Sequence, residues 1–229
     1  MTELVVITGV SRGIGRACAL AFAARGTRLA LLGRASKGQQ ATRAACEALG
    51  VEVEAYPCDV AERRDVERAA GRVLQEQGCP SVVVNNAGML ERGPKVHEID
   101  VDLWDRILAV NLRGPFLVTR ALLPAMLEAG RGRFLHVSSI SGTIGCPHMA
   151  HYGTSKWGLL GFHAALHDEL KGTGVLSIAI LPGSVDTDML AKVPFPPDMT
   201  AEAVAEVMVY YGLDAPAAVA GARVQVYGS

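Results

Sequence analysis

The chain has little surplus charge of either sign. Among its 229 residues, 22 Lys and Arg stand against 23 Asp and Glu, for a formal net charge of -1, and no basic block interrupts the balance. The electrostatic footprint of a nucleic-acid or anionic-membrane partner is therefore missing. Cysteine is sparse: five residues (Cys18, Cys46, Cys58, Cys79, Cys146), odd in number and with no CxxC pair. That spacing offers neither a disulfide framework nor a structural zinc site, and suits free thiols packed as small hydrophobes in a reduced cytoplasm. Long apolar runs are lacking too. The longest uncharged stretch, between Arg133 and Lys156, is full of Ser, Gly, His, Thr and Pro, so it reads as strand, loop and helix start rather than a membrane span. The opening MTEL runs straight into a strand-like segment without the basic stretch of an export signal. These absences predict a cytoplasmic protein that binds neither membrane nor nucleic acid.

Apolar residues are plentiful, at half of the composition against 20% charged, which argues for a well-packed core. Aliphatic runs alternate with helical patterns along the whole chain. The strand-like runs are 4–8, 28–33, 51–57, 81–85, 133–138, 175–181 and 223–227. Helical periodicity covers about 14–25, 38–49, 62–77, 102–128, 152–171 and 200–213, and Pro124 should bend the fourth of these. SVVVN and VLSIAIL are apolar on nearly every residue, as strands buried on both faces are. The pattern predicts one α/β domain over residues 1–229, a Rossmann-like, doubly wound, parallel seven-stranded sheet with helices on both faces.

In such sheets a ligand sits beyond the carboxyl ends of the strands. The segments found there are TGVSRGIG, GRAS, CDV, NNAG, SSISG and PGSVDTD. TGVSRGIG, residues 8–15, puts three glycines between a strand and a helix, where close backbone approach and the helix N-terminus make a phosphate site. After the second strand an acidic residue would bind a ribose 2′-hydroxyl, but Gly33 stands there and Arg34 follows it. Arg34, with Arg12 from the glycine loop, can grip a 2′-phosphate instead, so NADP(H) is expected over NAD(H). Farther on, Tyr152 and Lys156 lie one helical turn apart and share a face. A phenol titrates near pH 10 and serves poorly near neutrality. A neighbouring ammonium should lower that value, while the Ser139 hydroxyl could hold a carbonyl oxygen as charge grows on it. The set fits proton transfer coupled to hydride transfer.

Taken together these stretches resemble the short-chain dehydrogenases/reductases over nearly the whole chain. TGVSRGIG matches the family's cofactor loop, NNAG (85–88) the motif after the fourth strand, and Asn111 in VNLRGPF the active-site asparagine. Ser139, Tyr152 and Lys156 match the Ser and Tyr-xxx-Lys set. Pro182 and Gly183, followed by Thr187, match the segment around the nicotinamide, and Asp59 in CDV the acid near the adenine. The resemblance implies an NADP(H)-dependent oxidoreductase interconverting a carbonyl and an alcohol. Catalysis would fall to Asn111, Ser139, Tyr152 and Lys156. The cofactor would be held by Gly9, Ser11, Arg12, Gly13, Ile14, Gly15, Arg34, Asp59, Val60, Asn86, Ala87, Gly88, Pro182, Gly183, Val185 and Thr187, with Tyr152 and Lys156. Tyr152 would move the substrate proton, Lys156 would lower its pKa and bind the nicotinamide ribose, and the Asn111 main-chain carbonyl would place a water. No metal is called for, although His163 and His167 share a helix face.

Substrate contacts are expected from Ser139, Ile140, His148, Tyr152, Ser184 and Met189, and His151 reads as a flank of the pocket mouth or as solvent-facing. The segment at about 184–199 is short for the family, which predicts an open pocket for a bulky or carrier-bound carbonyl. Apolar helix faces at 102–128 and 152–171 suit a homodimer or homotetramer. Two rival readings remain: a dinucleotide-binding regulatory or scaffold protein without turnover, and an epimerase or dehydratase using the same cofactor site.

Overall fold

A computed structural model describes residues 2–192 and 194–228. Seven strands form one sheet: β1 (Leu4–Thr8), β2 (Arg28–Gly33), β3 (Val53–Pro57), β4 (Val82–Asn85), β5 (Gly132–Val137), β6 (Val175–Pro182) and β7 (Arg223–Val226). They lie in the order β3-β2-β1-β4-β5-β6-β7 and pair in parallel throughout. The order reverses between β1 and β4, which opens a crevice there at the carboxyl edge.

Strand periodicity sorts the core into two layers. Val5, Ile7, Leu29, Leu31, Val82 and Val84 pack beneath α1 (Gly13–Ala24), α2 (Lys37–Glu47) and α7 (Ala201–Val209). Their neighbours Leu4, Val6, Ala30, Leu32 and Val83 pack on the other face against α3 (Arg63–Glu76), α5 (Gly114–Ala129) and α6 (Ala150–Glu169). The apolar runs are thus continuous because both faces are covered. β7, at the sheet edge, alternates exposed and half-buried residues.

The expected helix over 102–128 is in fact three pieces: α4 (Val101–Leu108), a π-helical turn at Ala109–Arg113, and α5. Pro115 supplies a reason. It has no N–H, so the Asn111 carbonyl lacks the donor that an uninterrupted α-helix would give it. A π turn of this kind frequently marks a functional position. Helix α5 continues through Pro124 to Ala129 and stops at Gly130. A second π turn, Tyr210–Asp214, extends α7.

Candidate active site

The crevice between β1 and β4 is riveted by side chains. The Thr8 hydroxyl accepts the backbone N–H groups of Asn86 and Ala87, both at 3.0 Å. Asn86 Nδ2 donates in return to the carbonyls of Thr8 (2.9 Å) and Gly9 (3.0 Å). Gly9 adopts φ +72, and a Cβ there would lie 2.7 Å from the Ala87 Cα. A Cβ on Gly15 would collide with the Gly9 carbonyl and the Asn86 amide. Helix α1 starts from Arg12 with no side-chain cap and no acid in its first turn. Its orphan N–H groups and positive dipole end are therefore left for an anion. A glycine cradle at an uncapped helix start fits the pyrophosphate of a dinucleotide.

Around that cradle, Ser11, Arg12 and Arg34 are exposed and Ile14 is half-buried. The Arg12 guanidinium pairs with Asp188 at 3.3 Å across the cleft mouth. Asp59 is committed locally, its Oδ1 accepting the Ala61 N–H at 3.0 Å, while Val60 is buried. A Cβ on Gly114 would lie 3.0 Å from the Val60 side chain. From the far side, Pro182 ends β6, the Gly183 N–H donates to Val226, and buried Val185 bridges to Met199. Thr187 leans over the glycine loop, where its methyl would be 3.1 Å from a Cβ on Gly13. Ser184, half-buried, accepts the Asp198 and Met199 N–H groups through its carbonyl, closing the base of the 184–199 loop. Val193 of that loop lies outside the described residues.

The polar set sits deeper. Tyr152 is buried near the start of α6, and the Lys156 ammonium stands 5.5 Å from its ring centre. Lys156 Nζ donates to the Val137 carbonyl at 2.9 Å. A Cβ on Gly88 would lie 3.8 Å from that nitrogen and 3.5 Å from Asn111 Oδ1, so the NNAG loop runs past both. Asn111 brackets Met89, with Oδ1 accepting its N–H and Nδ2 donating to its carbonyl, each at 2.8 Å. Asn111 Nδ2 also donates to the Ser155 hydroxyl (3.1 Å), which donates to the Tyr152 carbonyl (2.7 Å). Buried Ser139 accepts the Ser141 N–H at 3.1 Å, which caps the 3₁₀ turn Ile140–Gly142.

Burial governs the titration of this set. It pushes the Tyr152 phenol up to about 12, the Ser139 hydroxyl pulling against it and the Cys146 thiol adding to it. Burial likewise brings the Lys156 ammonium down to about 8. The expected lowering of Tyr152 by Lys156 is therefore corrected. Desolvation of the phenolate is the largest influence, only the Ser139 hydroxyl opposes it, and the Lys156 ammonium is turned to a backbone carbonyl.

Of the expected substrate residues, Met189 packs with Leu90, Cys146 and Met149 against Tyr152, and Ile140 is half-buried nearby in the chain. Exposed His148 bends the chain at φ +64, and its carbonyl accepts the Gly93 N–H. His151 is not solvent-facing but wholly buried. Of this cluster only Leu90 escapes sequence reasoning, since Cys146 and Met149 fall in the loop after Ser139 and Met189 in the segment after Pro182; Leu90 could have been found by carrying the strand-end logic two residues past NNAG. Among the described residues no group of three or more His, Cys, Asp or Glu could hold a metal, and His163 is engaged with Ser177 Oγ at 2.8 Å. No described helix is long and apolar enough to cross a membrane.

Comparison with known proteins bears on this arrangement. A family model described as short chain dehydrogenase matches residues 3–195. A short chain dehydrogenase of Pseudocercospora fijiensis is 37% identical over 188 residues, covering 82% of this chain and 61% of that protein. The 17-beta-hydroxysteroid dehydrogenase 13 of Homo sapiens is 36% identical over 188 residues, covering 81% of this chain and 62% of its own. The chain thus spans less than two thirds of the length of either relative. The crystal structure of levodione reductase superposes with a TM-score of 0.93 at 26% identity, covering 99% of this chain and 96% of that one. The family's members are oxidoreductases that bind a nicotinamide dinucleotide, and with the cradle, the riveted crevice and the buried Tyr–Lys pair at one sheet edge, the chain belongs to the short-chain dehydrogenase/reductase family.

Proposed function

We propose that residues 1–229 form one cofactor-binding and catalytic domain, an NADP(H)-dependent oxidoreductase that reduces a ketone or aldehyde to an alcohol. The observation that carries this reading is the burial of Tyr152, Ser139 and Lys156, with Lys156 against the NNAG loop that is tied to the glycine cradle. When bound, the dinucleotide supplies hydride chemistry at its nicotinamide ring. Gly9, Ser11 and Gly13 to Gly15 would hold its phosphates, with Asp59, Val60 and Asn86 to Gly88 along the adenine side. Pro182, Gly183, Val185 and Thr187 would enclose the nicotinamide end. Exposed Arg34 and Arg12, with no carboxylate at the end of β2, favour a 2′-phosphate.

The chain's own groups do the proton work. A phenol held at about 12 is protonated at neutral pH, the form that can donate to a substrate oxygen during reduction. The Ser139 hydroxyl would steady that oxygen as it gains charge. Lys156, fixed by the Val137 carbonyl, would reach the nicotinamide ribose. Asn111 would place a water through its main-chain carbonyl. Leu90, Cys146, Met149 and Met189 make the wall around Tyr152 apolar, which suits a carbonyl carried on an apolar group. One of the relatives is named a 17-beta-hydroxysteroid dehydrogenase.

Five unpaired thiols suit a reducing compartment such as the cytoplasm. An apolar groove of about 300 Å³ on α5 and α6 includes Phe116, Leu123, Leu127 and Phe162, and suits assembly as a homodimer or homotetramer. The test of the activity is Tyr152→Phe, assayed by NADPH absorbance against a carbonyl panel. NADPH binding should persist while turnover falls by at least about 100-fold, in the range that general acid catalysis contributes. Wild-type rates in that variant would refute the mechanism.

A further inference from the structure

The segment after β4, 88–95, meets the start of α6 at two points that the proposed chemistry does not use. The Gly93 N–H donates to the His148 carbonyl at 2.9 Å. His148 is the one non-glycine residue, among those described, with its backbone in the left-handed region, at φ +64. Such a conformation persists where surrounding contacts hold it, so the aim of that carbonyl is imposed. The second point is His151, wholly buried one residue before Tyr152. Its Nδ1 accepts the Tyr152 N–H at 2.9 Å. Its Nε2 has no hydrogen-bond partner and faces Gly93, where a Cβ would come within 3.1 Å of it. The ring is wedged between the backbone of Tyr152 and the turn at Gly93. A leucine or phenylalanine would fill the space without burying an unpaired nitrogen, so the polar edge facing Tyr152 is what the ring contributes.

We propose that His151 is a positioning residue for Tyr152, locking the start of α6 to the Gly93 turn so that the phenol and the loop bearing Leu90 keep a fixed spacing. The inference rests on the reading of Tyr152 as proton donor, and three variants separate the two. In His151→Asn the side-chain oxygen replaces Nδ1 as acceptor for the Tyr152 N–H. His151→Phe fills the volume without an acceptor. Gly93→Ala presses on the ring from the opposite side.

The readouts are kcat and KM with NADPH on a carbonyl that the wild type reduces, the NADPH dissociation constant by fluorescence, and amide hydrogen exchange over 88–95 and 150–156. His151→Phe and Gly93→Ala should lower kcat by about tenfold or more, as a small misplacement of a reacting group does, with NADPH affinity held within about threefold. Exchange in both peptides should speed up by about tenfold in those variants, and His151→Asn should match the wild type in every readout. Equal impairment of the Asn and Phe variants, or unchanged kcat and exchange in the Phe variant, would overturn the inference. Should His151→Phe fail to fold, Gly93→Ala decides on the same readouts. A wild type that consumes no NADPH on any carbonyl refutes the oxidoreductase reading instead, and the exchange data alone then judge the lock.

Discussion

Two histidines buried behind the sheet should make the protein acid-labile. His136 on β5 is fully buried, stacked on Phe134 and edge-on to Phe162, and burial brings it down to about 3 from an ordinary 6.5. His163 on α6 faces it at 6.1 Å between ring centres and is brought down to about 4, with His167 and Arg223 also opposing its charge. Both rings are neutral in the folded state, whereas in the unfolded chain they take up protons as the pH falls through 6.5. Stability from these groups is therefore full above about pH 6.5 and is lost as the pH falls toward the native values. At about pH 5 each unfolded imidazole is almost fully protonated while its folded counterpart is not, which is worth about 2 kcal/mol per residue and about 4 kcal/mol together. That sum hardly depends on the native values once they lie below about 4, and it is a large part of a typical total of about 5–15 kcal/mol. Urea unfolding followed by the fluorescence of Trp104 and Trp157, at fixed protein concentration, measures it. The substitutions His136→Asn and His163→Asn place an oxygen near each Nδ1, which meets Asn85 in one case and Ser177 in the other. His151 adds to the loss in the same direction, so the decisive quantity is the difference between wild type and double variant. A double variant losing as much stability between about pH 7.5 and 5 as the wild type would refute the reasoning.

Other consequences concern the cofactor and the proton. Arg34→Ala should weaken NADPH binding by about 10- to 100-fold, the worth of a charge-assisted hydrogen bond, and leave NADH binding unchanged in parallel titrations. Asp188→Ala frees Arg12 from an exposed ion pair and should tighten NADPH by no more than about fivefold, since such pairs contribute about 0–1 kcal/mol. Gly15→Ala drives a methyl into the Gly9 carbonyl and the Asn86 amide; calorimetry should find NADPH binding lost and stability lowered by about 1–3 kcal/mol. On the proposed mechanism alcohol oxidation would use the Tyr152 phenolate, so with a phenol at about 12 its rate should climb up to about tenfold per pH unit between about pH 7 and 9, while carbonyl reduction does not climb. A flat oxidation profile would count against Tyr152 as the base.

The strands were legible because both faces of each central strand are covered. LVVIT and RLALLG carry their boundaries in their composition, and the sheet uses the same residues. Candidate positions were legible for a related reason: a parallel sheet brings every strand's carboxyl end to one edge, so the segments to inspect follow from the strands alone. What stayed hidden depends on neighbours that periodicity does not report. The apolar pattern runs without a break across Ala109–Arg113, and the π turn shows in the sequence only through the missing N–H of Pro115. Burial of His151 is set by the 88–95 segment folding onto α6, a contact between residues far apart in the chain. The direction of the Tyr152 shift escaped for the same reason, since a cation one helical turn away is visible in sequence whereas the closing of Leu90, from a third segment, with Met149 and Met189 around the phenol is not.

That wall changes what governs the Tyr152–Lys156 pair. Had the Lys156 ammonium alone tuned Tyr152, one helix face would suffice and the rest of the site would be support. Instead the geometry hangs on the packing of the β5 end against α6. The carbonyl of Val137, the last residue of β5, takes the Lys156 amine, the next residue, Ser138, donates to the Lys156 carbonyl at 3.1 Å, and the one after it, Ser139, opposes the upward shift of the phenol. Three consecutive residues thus aim the amine, tie down its backbone and meet the phenol. A one-residue slip of that strand end would exchange these duties and disable the site with every side chain still present. The separation of Tyr152 from Lys156 is therefore set by rigid elements, whereas Leu90, Cys146 and Met189 sit on connecting segments, so on the proposed function a change there would alter both the choice of substrate and the burial of the phenol.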